Sequence, residues 1–327
     1  MAQLTTAPES AAIQPAARSR VRLRPQRAAL SGAALHRRWW VPYLWLLPSL
    51  GGIGVFGIYP FLRAVYLSFT STPPLGGDST WVGLDNYLLL VRDNEFWLAT
   101  RNSVLYTVVV VPLMVLLPLL LAILVEKRIP LIGFFRSIFY TPVVASMVVV
   151  GLMWLWLLQD QGLINSILRG MHIIHQSVPF LSNPWLLLFS AMGLTLWKGL
   201  GWYMVFYLVA LANVPRELHE AAQIDGAGAV RRFRHVTIPG VKPMMLLVGT
   251  FTAIGCMRIF TEVYVLSGTT GGPGGQAETL PFYIRSAGLD PTSGDAGYGS
   301  AISVVLFLMT LGFAVFARRL ARGDEPS

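Results

Sequence analysis

An all-α polytopic membrane protein with six transmembrane helices is the fold class this sequence predicts, on three observations. Apolar residues fill 54% of the 327 positions. Charged residues fill 13%, against about 25% in an ordinary soluble domain. The apolar residues gather into runs of roughly 20 or more, the length a helix needs to cross a bilayer. A chain of this length could form two soluble domains, but repeated apolar runs point to one integral membrane domain.

Residues 1–38 form a basic tail, with Arg18, Arg20, Arg22, Arg24, Arg27, Arg37 and Arg38 among Ala, Ser, Gln and Pro. Its composition predicts disorder up to about residue 30. It does not read as a signal peptide, because the apolar run that follows exceeds the roughly 7–15 residues of such a segment. The membrane domain is expected over 39–320, followed by a short cytoplasmic tail, 321–327. Trp39 and Trp40 open the first span, Val41–Leu62, as interfacial anchors. Gly52, Gly54 and Gly57 in that span fit GxGxxG without a strand or turn around them, so close helix packing is the better reading. Spans two and three are predicted at Asn102–Val125 and Ile138–Leu158. Span four, Pro184–Asn213, is longer than a bilayer needs and so is tilted or partly outside it. Spans five and six are predicted at Met244–Leu266 and Gly299–Ala317. Outside the spans, Trp81–Tyr87 reads as a turn with an aromatic surface. Ser267–Gly275 is too rich in glycine to be regular, and reads as a bend at a pore mouth, a partner contact or a linker.

Six spans put both termini on one side, and the cations say which. Lys and Arg number 18 in the tail, 126–137, 214–243 and 318–327, against four in the segments of the other face. The positive-inside rule therefore predicts that both termini and residues 214–243 are cytoplasmic. That distribution also argues against nucleic acid as the reason for the net charge of +9. The single cysteine, Cys256, rules out an intrachain disulfide. His172 and His175 read as a solvated pair rather than a metal site. No GxxxxGK[ST] motif is present, so the chain is not expected to bind ATP.

Within the loop 214–243, Glu217–Pro243 is the longest polar run between two apolar runs. Glu217, Glu220, Ala221 and Ala222 favour a helix, and Asp225-Gly226 interrupts it: glycine to close one helix, aspartate to cap the next. A second short segment, Ala227–Val236, carries Arg231, Arg232 and Arg234 around Phe233, and Pro239 and Pro243 bracket the return to apolar sequence. The expectation is a helix-turn-helix elbow at a membrane surface. Glu220-Ala221-Ala222, Asp225-Gly226-Ala227, Phe233, Val236, Ile238-Pro239 and Pro243 together resemble the EAA loop of the membrane-spanning subunits of bacterial ATP-binding-cassette importers. Tyr59-Pro60, Val82–Tyr87 and Tyr264-Val265-Leu266 before the Gly-rich segment are similar to the permeases of maltose, other oligosaccharides and glycerol-3-phosphate. Ser267 and the pair Thr269-Thr270 depart from that pattern.

The resemblance implies a type I importer permease fold, in the first of two paired permease subunits. It implies a second homologous permease, an ATPase dimer that uses ATP and Mg, an extracytoplasmic binding protein, and a carbohydrate or sugar phosphate as cargo in the bacterial inner membrane. Its coupling residues would be Glu220, Ala221, Ala222, Asp225, Gly226, Ala227, Phe233 and Pro239. Its pathway residues carry over to Thr195, Gly199 and Trp202 and to Thr252, Cys256 and Ile259. Each set has the spacing i, i+4, i+7 of one helical face, which fits a packing stripe equally well. Lys198, Arg258 and Glu262 join them as ionisable residues within apolar runs, where a cavity or a partner is the usual reason. Arg258 and Glu262 could pair at i, i+4, contact substrate, or do both. A secondary transporter would need intramembrane acids for ion coupling, and only Glu262 qualifies. An intramembrane enzyme would need a nucleophile–base pair or metal ligands at depth, and none is evident.

Overall fold

The computed structural model describes residues 40–74, 76–126 and 132–322. The expected disorder of 1–38 and the end of the second tail fall outside the described residues. Among the described residues, six helices are long and apolar enough to cross a membrane: Tyr43–Leu67, Asn94–Glu126, Met147–Gly170, Pro184–Ala212, Ala229–Met257 and Ala296–Phe316. The chain divides into two units, residues 1–57 and 58–327. The first contributes α1 (Val41–Ile53), entered through Pro42 in its first turn. Of the glycines expected to serve close packing, Gly52 and Gly54 have open space where a Cβ would stand, and a Cβ on Gly57 would meet Ile53 Cγ2 at 3.9 Å, an ordinary contact.

The second unit begins with α2 (Tyr59–Leu67) and a two-stranded antiparallel ribbon, β1 (Thr70–Ser71) and β2 (Thr80–Trp81), with Thr70 opposite Trp81. The expected aromatic surface is a stack of Phe69 on Trp81, with Tyr87 beside Phe69. Buried Asn86, on α3 (Asp85–Arg92), donates to the Ser68 and Thr70 carbonyls and fixes the ribbon. The long α4 (Asn94–Glu126) starts eight residues before the predicted span, because Asp93 Oδ1 accepts from the Glu95 N–H at 2.9 Å and starts the helix outside the apolar run. Then come α5 (Ile132–Val144), α6 (Met147–Leu158), α7 (Leu163–Gly170) and α8 (Pro184–Ala212). Asn183 caps α8 by accepting from Trp185 and Leu186, with Pro184 in the first turn.

The predicted third span is thus two helices, broken at Ala145–Ser146. The fifth is also revised. The elbow is α9 (Arg216–Ile224) followed by α10 (Ala229–Arg232), a π-helical turn Phe233–Thr237, and α11 (Ile238–Met257). Pro239 lies in the first turn of α11 and Pro243 within it, so neither separates the polar segment from the span. In the π turn the Ile238 N–H bonds to the Phe233 carbonyl, and the His235 ring meets the Arg231 carbonyl at 2.9 Å. The chain leaves the helix at Arg258 and restarts as α12 (Thr261–Ser267), followed by α13 (Leu280–Leu289) and α14 (Ala296–Arg322). The segment between α12 and α13 is a pair of 3₁₀ turns whose glycines 268, 271, 272, 274 and 275 all have positive φ.

Three apolar clusters hold the second unit together. Tyr106, Val110, Leu188, Leu194, Val263 and Phe282 centre the first, between α4, α6, α8 and α12. Leu119, Val125, Tyr207, Leu211 and Val248 form the second, toward the elbow. Leu90, Phe96, Leu280 and Ile302 form the third, beside the ribbon. Near the ribbon, Asp295 accepts from Ser71 Oγ at 2.5 Å and from the Thr72 N–H at 3.1 Å, tying the start of α14 to β1.

Candidate functional site

A cavity of about 410 Å³ opens between α5, α6, α8, α11 and α12. Thr195, Lys198, Gly199 and Trp202 face it from α8, and Thr252, Cys256 and Ile259 from α11 and its end. Glu262 completes the polar wall, while Met114, Tyr203 and Phe251 supply apolar surface that the sequence reading did not single out. Helical spacing explains why these residues share faces. The convergence of the two faces comes from the packing of α8 and α11 against α4. A larger groove of about 760 Å³ lies between α4, α11 and α14, but apart from Thr107, Thr250 and Lys242 its wall is apolar. Of the two, the cavity between α8 and α11 carries more polar and ionisable side chains, Thr195, Lys198, Thr252 and Glu262 among them, and is the better match to a hydroxyl-rich ligand.

Hydrogen bonds order the polar wall. Tyr106 Oη donates to the Ala191 carbonyl at 2.8 Å and lies 2.7 Å from Thr195 Oγ1, whose hydroxyl is 3.5 Å from Glu262 Oε1. Thr252 is 5% exposed, and among the described residues its hydroxyl makes no hydrogen bond of ordinary geometry; its interaction with the Tyr203 hydroxyl falls short of one. Lys198 Nζ donates to the carbonyls of Pro142, Val143 and Ala145 at 3.1, 3.2 and 2.8 Å.

Arg258 is the exception among the pathway candidates. It is exposed and does not line the cavity. The i, i+4 pairing with Glu262 requires a continuous helix, and the helix stops between them: Arg258 has φ −101° and ψ 14°, and Phe260 φ −135° and ψ −56°. Among the described residues the cation acting on Glu262 is Lys198. The Ile259 carbonyl, freed by the break, accepts from Thr279 Oγ1 at 2.7 Å.

At the other end of α8, α9 and α10 form the expected elbow. Asp225 is the C-terminal cap of α9, and Gly226 has φ +75°, the left-handed conformation that glycine tolerates. The expectation that Asp225 caps the next helix is not met: Gly228 occupies that position and no side chain caps it. Glu220, Ala221 and Pro239 are exposed, and Ala222 and Ala227 half-buried. Phe233 is half-buried against the second cluster, so it anchors the elbow rather than adding to its apolar surface. That surface is made instead by Leu218, Ile224 and Val230, at 53%, 87% and 80% exposure. Three apolar residues in a polar loop were the signal that could have found them.

The ribbon end carries a third cavity, about 660 Å³, with Arg92, Asp93, Glu95, Glu278, Asp290 and Asp295 on its wall. Burial pushes the Glu278 carboxyl up to about 7; Ser286 hydrogen bonding opposes this and nearby Glu95 adds to it. Burial acts the same way on Asp93, but hydrogen bonds from Tyr283, Tyr298 and backbone amides outweigh it and hold Asp93 below its ordinary value. Among the described residues no cluster of His, Cys, Asp and Glu has the arrangement of a metal site.

Membrane-length helices around a cavity with polar and ionisable groups on its wall, and a charged elbow at one end, define an integral membrane transport subunit. The chain belongs to the family described as binding-protein-dependent transport system inner membrane component, whose model matches residues 101–323. It is 33% identical to the lactose transport system permease protein LacF of Rhizobium radiobacter, over 82% of this chain and 89% of that one. It is 33% identical to the arabinooligosaccharides transport system permease protein AraP of Bacillus subtilis, over 86% of this chain and 88% of that one. The fold matches a subunit in the crystal structure of a bacterial ABC transporter that imports the acidic polysaccharide alginate. The TM-score there is 0.74 at 22% identity, over 88% of this chain and 96% of that one.

Proposed function

We propose that this chain is a permease subunit of an ATP-driven importer, through which a carbohydrate crosses the inner membrane. The observation that carries this is the gathering of Thr195, Gly199, Trp202, Thr252, Cys256, Ile259 and Glu262 on one cavity between α8 and α11. Both helices lead directly to the elbow. Trp202 offers a stacking face, and Thr195 and Glu262 offer hydroxyl and carboxylate groups to sugar hydroxyls. The three N–H donors of Lys198 are committed to carbonyls, and Arg258 lies off the wall. That favours a sugar without phosphate over a phosphorylated one. The sugars named for the relatives, lactose and arabino-oligosaccharides among them, agree with that chemistry.

The elbow is the docking element for a partner ATPase, with Glu220, Ala221, Ala222, Asp225, Gly226, Ala227, Phe233 and Pro239 shaping it and Leu218, Ile224 and Val230 presenting apolar surface. Both termini and the elbow are cytoplasmic, by the distribution of Lys and Arg. A second permease completes the pathway, an extracytoplasmic binding protein delivers the sugar, and ATP and Mg are used by the ATPase. The test is purification through a tag on this chain, identification of co-purified subunits and sugar by mass spectrometry, and reconstitution in liposomes. ATP-dependent uptake of that sugar only with all subunits present is the expected result. Ion-driven uptake by the lone chain would replace this reading with a secondary transporter.

A further inference from the structure

We infer that Lys198 is a positioning residue: it caps the break between α5 and α6, and through it α8 fixes one wall of the cavity. The chain leaves the helix between Val144 and Met147, inside an apolar segment. The last carbonyls of α5 have no helical partner there, and lipid offers none. An ammonium has three N–H donors, and Lys198 spends them on Pro142, Val143 and Ala145. Those carbonyls are also the negative end of the α5 dipole, so a cation suits them better than a neutral amide.

A second contact fastens the same face of α8 three residues on. A Cβ on Gly201 would stand 2.1 Å from the Phe139 carbonyl oxygen, so backbone meets backbone there. Val143 and Met147, which flank the break, line the cavity together with Lys198. From Lys198 the helix runs unbroken to Ala212, and α9 begins at Arg216. Movement of the elbow therefore reaches the break along one rigid element, with Lys198 as the coupling point. The inference goes beyond the transport reading in assigning this lysine to the chain and not to an anionic group on the cargo.

The test uses the full chain, with the subunits that accompany it, in lipid nanodiscs, as wild type, Lys198→Met, Lys198→Arg and Val209→Ala. Amide hydrogen exchange is followed in the peptide spanning 139–150, and N-ethylmaleimide labelling at Cys256, the single cysteine, which lines the same cavity. Lys198→Met is expected to speed exchange at least about tenfold, the signature of local opening, and to speed labelling in parallel. Lys198→Arg keeps a multidonor cation and is expected to return both to within about threefold of wild type. Val209→Ala, an exposed residue of the same helix that does not line the cavity, leaves the 139–150 exchange unchanged. If Lys198→Met does not assemble, Lys198→Gln serves, and exchange between the Arg and wild-type values on one side and full opening on the other is expected. Unchanged exchange in the Met or Gln variant overturns the inference, as does Lys198→Arg opening the break as far as Met. Neither measurement depends on uptake, so the inference and the transport reading fail separately.

Discussion

Gly201→Ala tests a backbone-to-backbone contact between α8 and α5. The added Cβ would meet the Phe139 carbonyl oxygen at 2.1 Å, its carbon at 2.9 Å and Tyr140 Cα at 3.0 Å. Ordinary van der Waals contact begins at about 3.4 Å, so α8 and α5 must separate locally by about 1.3 Å. The obstructing atoms are backbone and cannot rotate away. Overpacking of this kind costs about 1–3 kcal/mol, and the rigid neighbour places it near the top of that range. Alanine returns up to about 1 kcal/mol in helix propensity, leaving a net loss of about 2 kcal/mol. Gly312→Ala is the matched control, an exposed glycine in α14 with nothing within 4 Å of its Cβ. Thermal denaturation of the detergent-solubilised chain, followed by circular dichroism, measures both. At roughly 2–4 °C per kcal/mol, Gly201→Ala is expected to lower Tm by about 4–8 °C while Gly312→Ala holds or raises it. A Gly201→Ala protein that melts with or above the Gly312→Ala protein refutes the argument that this contact sets the helix spacing.

Gly226→Asp is expected to leave the chain in the membrane but to abolish ATP-driven uptake in the reconstituted complex. A side chain at φ +75° costs about 1–2 kcal/mol, and the space around it is open, so the cost is conformational and the added carboxylate obstructs the elbow surface; wild-type uptake would contradict this. Tyr207→Phe removes a buried hydroxyl that has no hydrogen-bond partner among the described residues, so stability in the same melting assay is expected to hold or to rise by up to about 1 kcal/mol, and a loss would refute the absence of a partner. Glu278, raised from 4.5 to about 7, makes stability depend on pH: its contribution is complete below the unfolded value and is lost as pH rises through about 7. Tm is therefore expected to fall between pH 5 and pH 8, and Glu278→Gln to flatten that fall; an unaltered profile in the variant would assign the effect to another group.

Much of the bundle was legible because bilayer physics writes it into composition. The span at Pro184–Asn213 agrees with α8 to within one residue, since Pro184 starts it and the polar elbow ends it. The elbow itself was legible in Asp225-Gly226, where a positive φ was foreseeable. The two breaks were not. Ile138–Leu158 reads as one apolar run, and the residue that stabilises its interruption is Lys198, more than 50 positions away. The fifth span has no Gly or Pro between Met257 and Thr261 to announce its break, and the Ile259 carbonyl is satisfied by Thr279, 20 residues on. Contacts of this range leave no periodic trace. The faces of the candidate cavity could be read from i, i+4, i+7 spacing, but a packing stripe has the same spacing. Only the crossing of helices separates the two, and it puts Phe233 into a core and Ile224 into the open.

The π turn at Phe233–Thr237 sets an angular phase. Each residue of a regular helix advances the side-chain direction by about 100°, so one extra residue in a turn rotates everything beyond it by about that amount. Val230 lies before this turn and Thr252, Cys256 and Ile259 after it, along one helical rod from Ala229 to Met257 and its end. The turn thus fixes the bearing of the exposed elbow relative to the cavity face. Loss or gain of a single residue within 233–237 swings one face away while the other stays in place. Length, besides the anchoring side chain of Phe233, is what this short segment must keep.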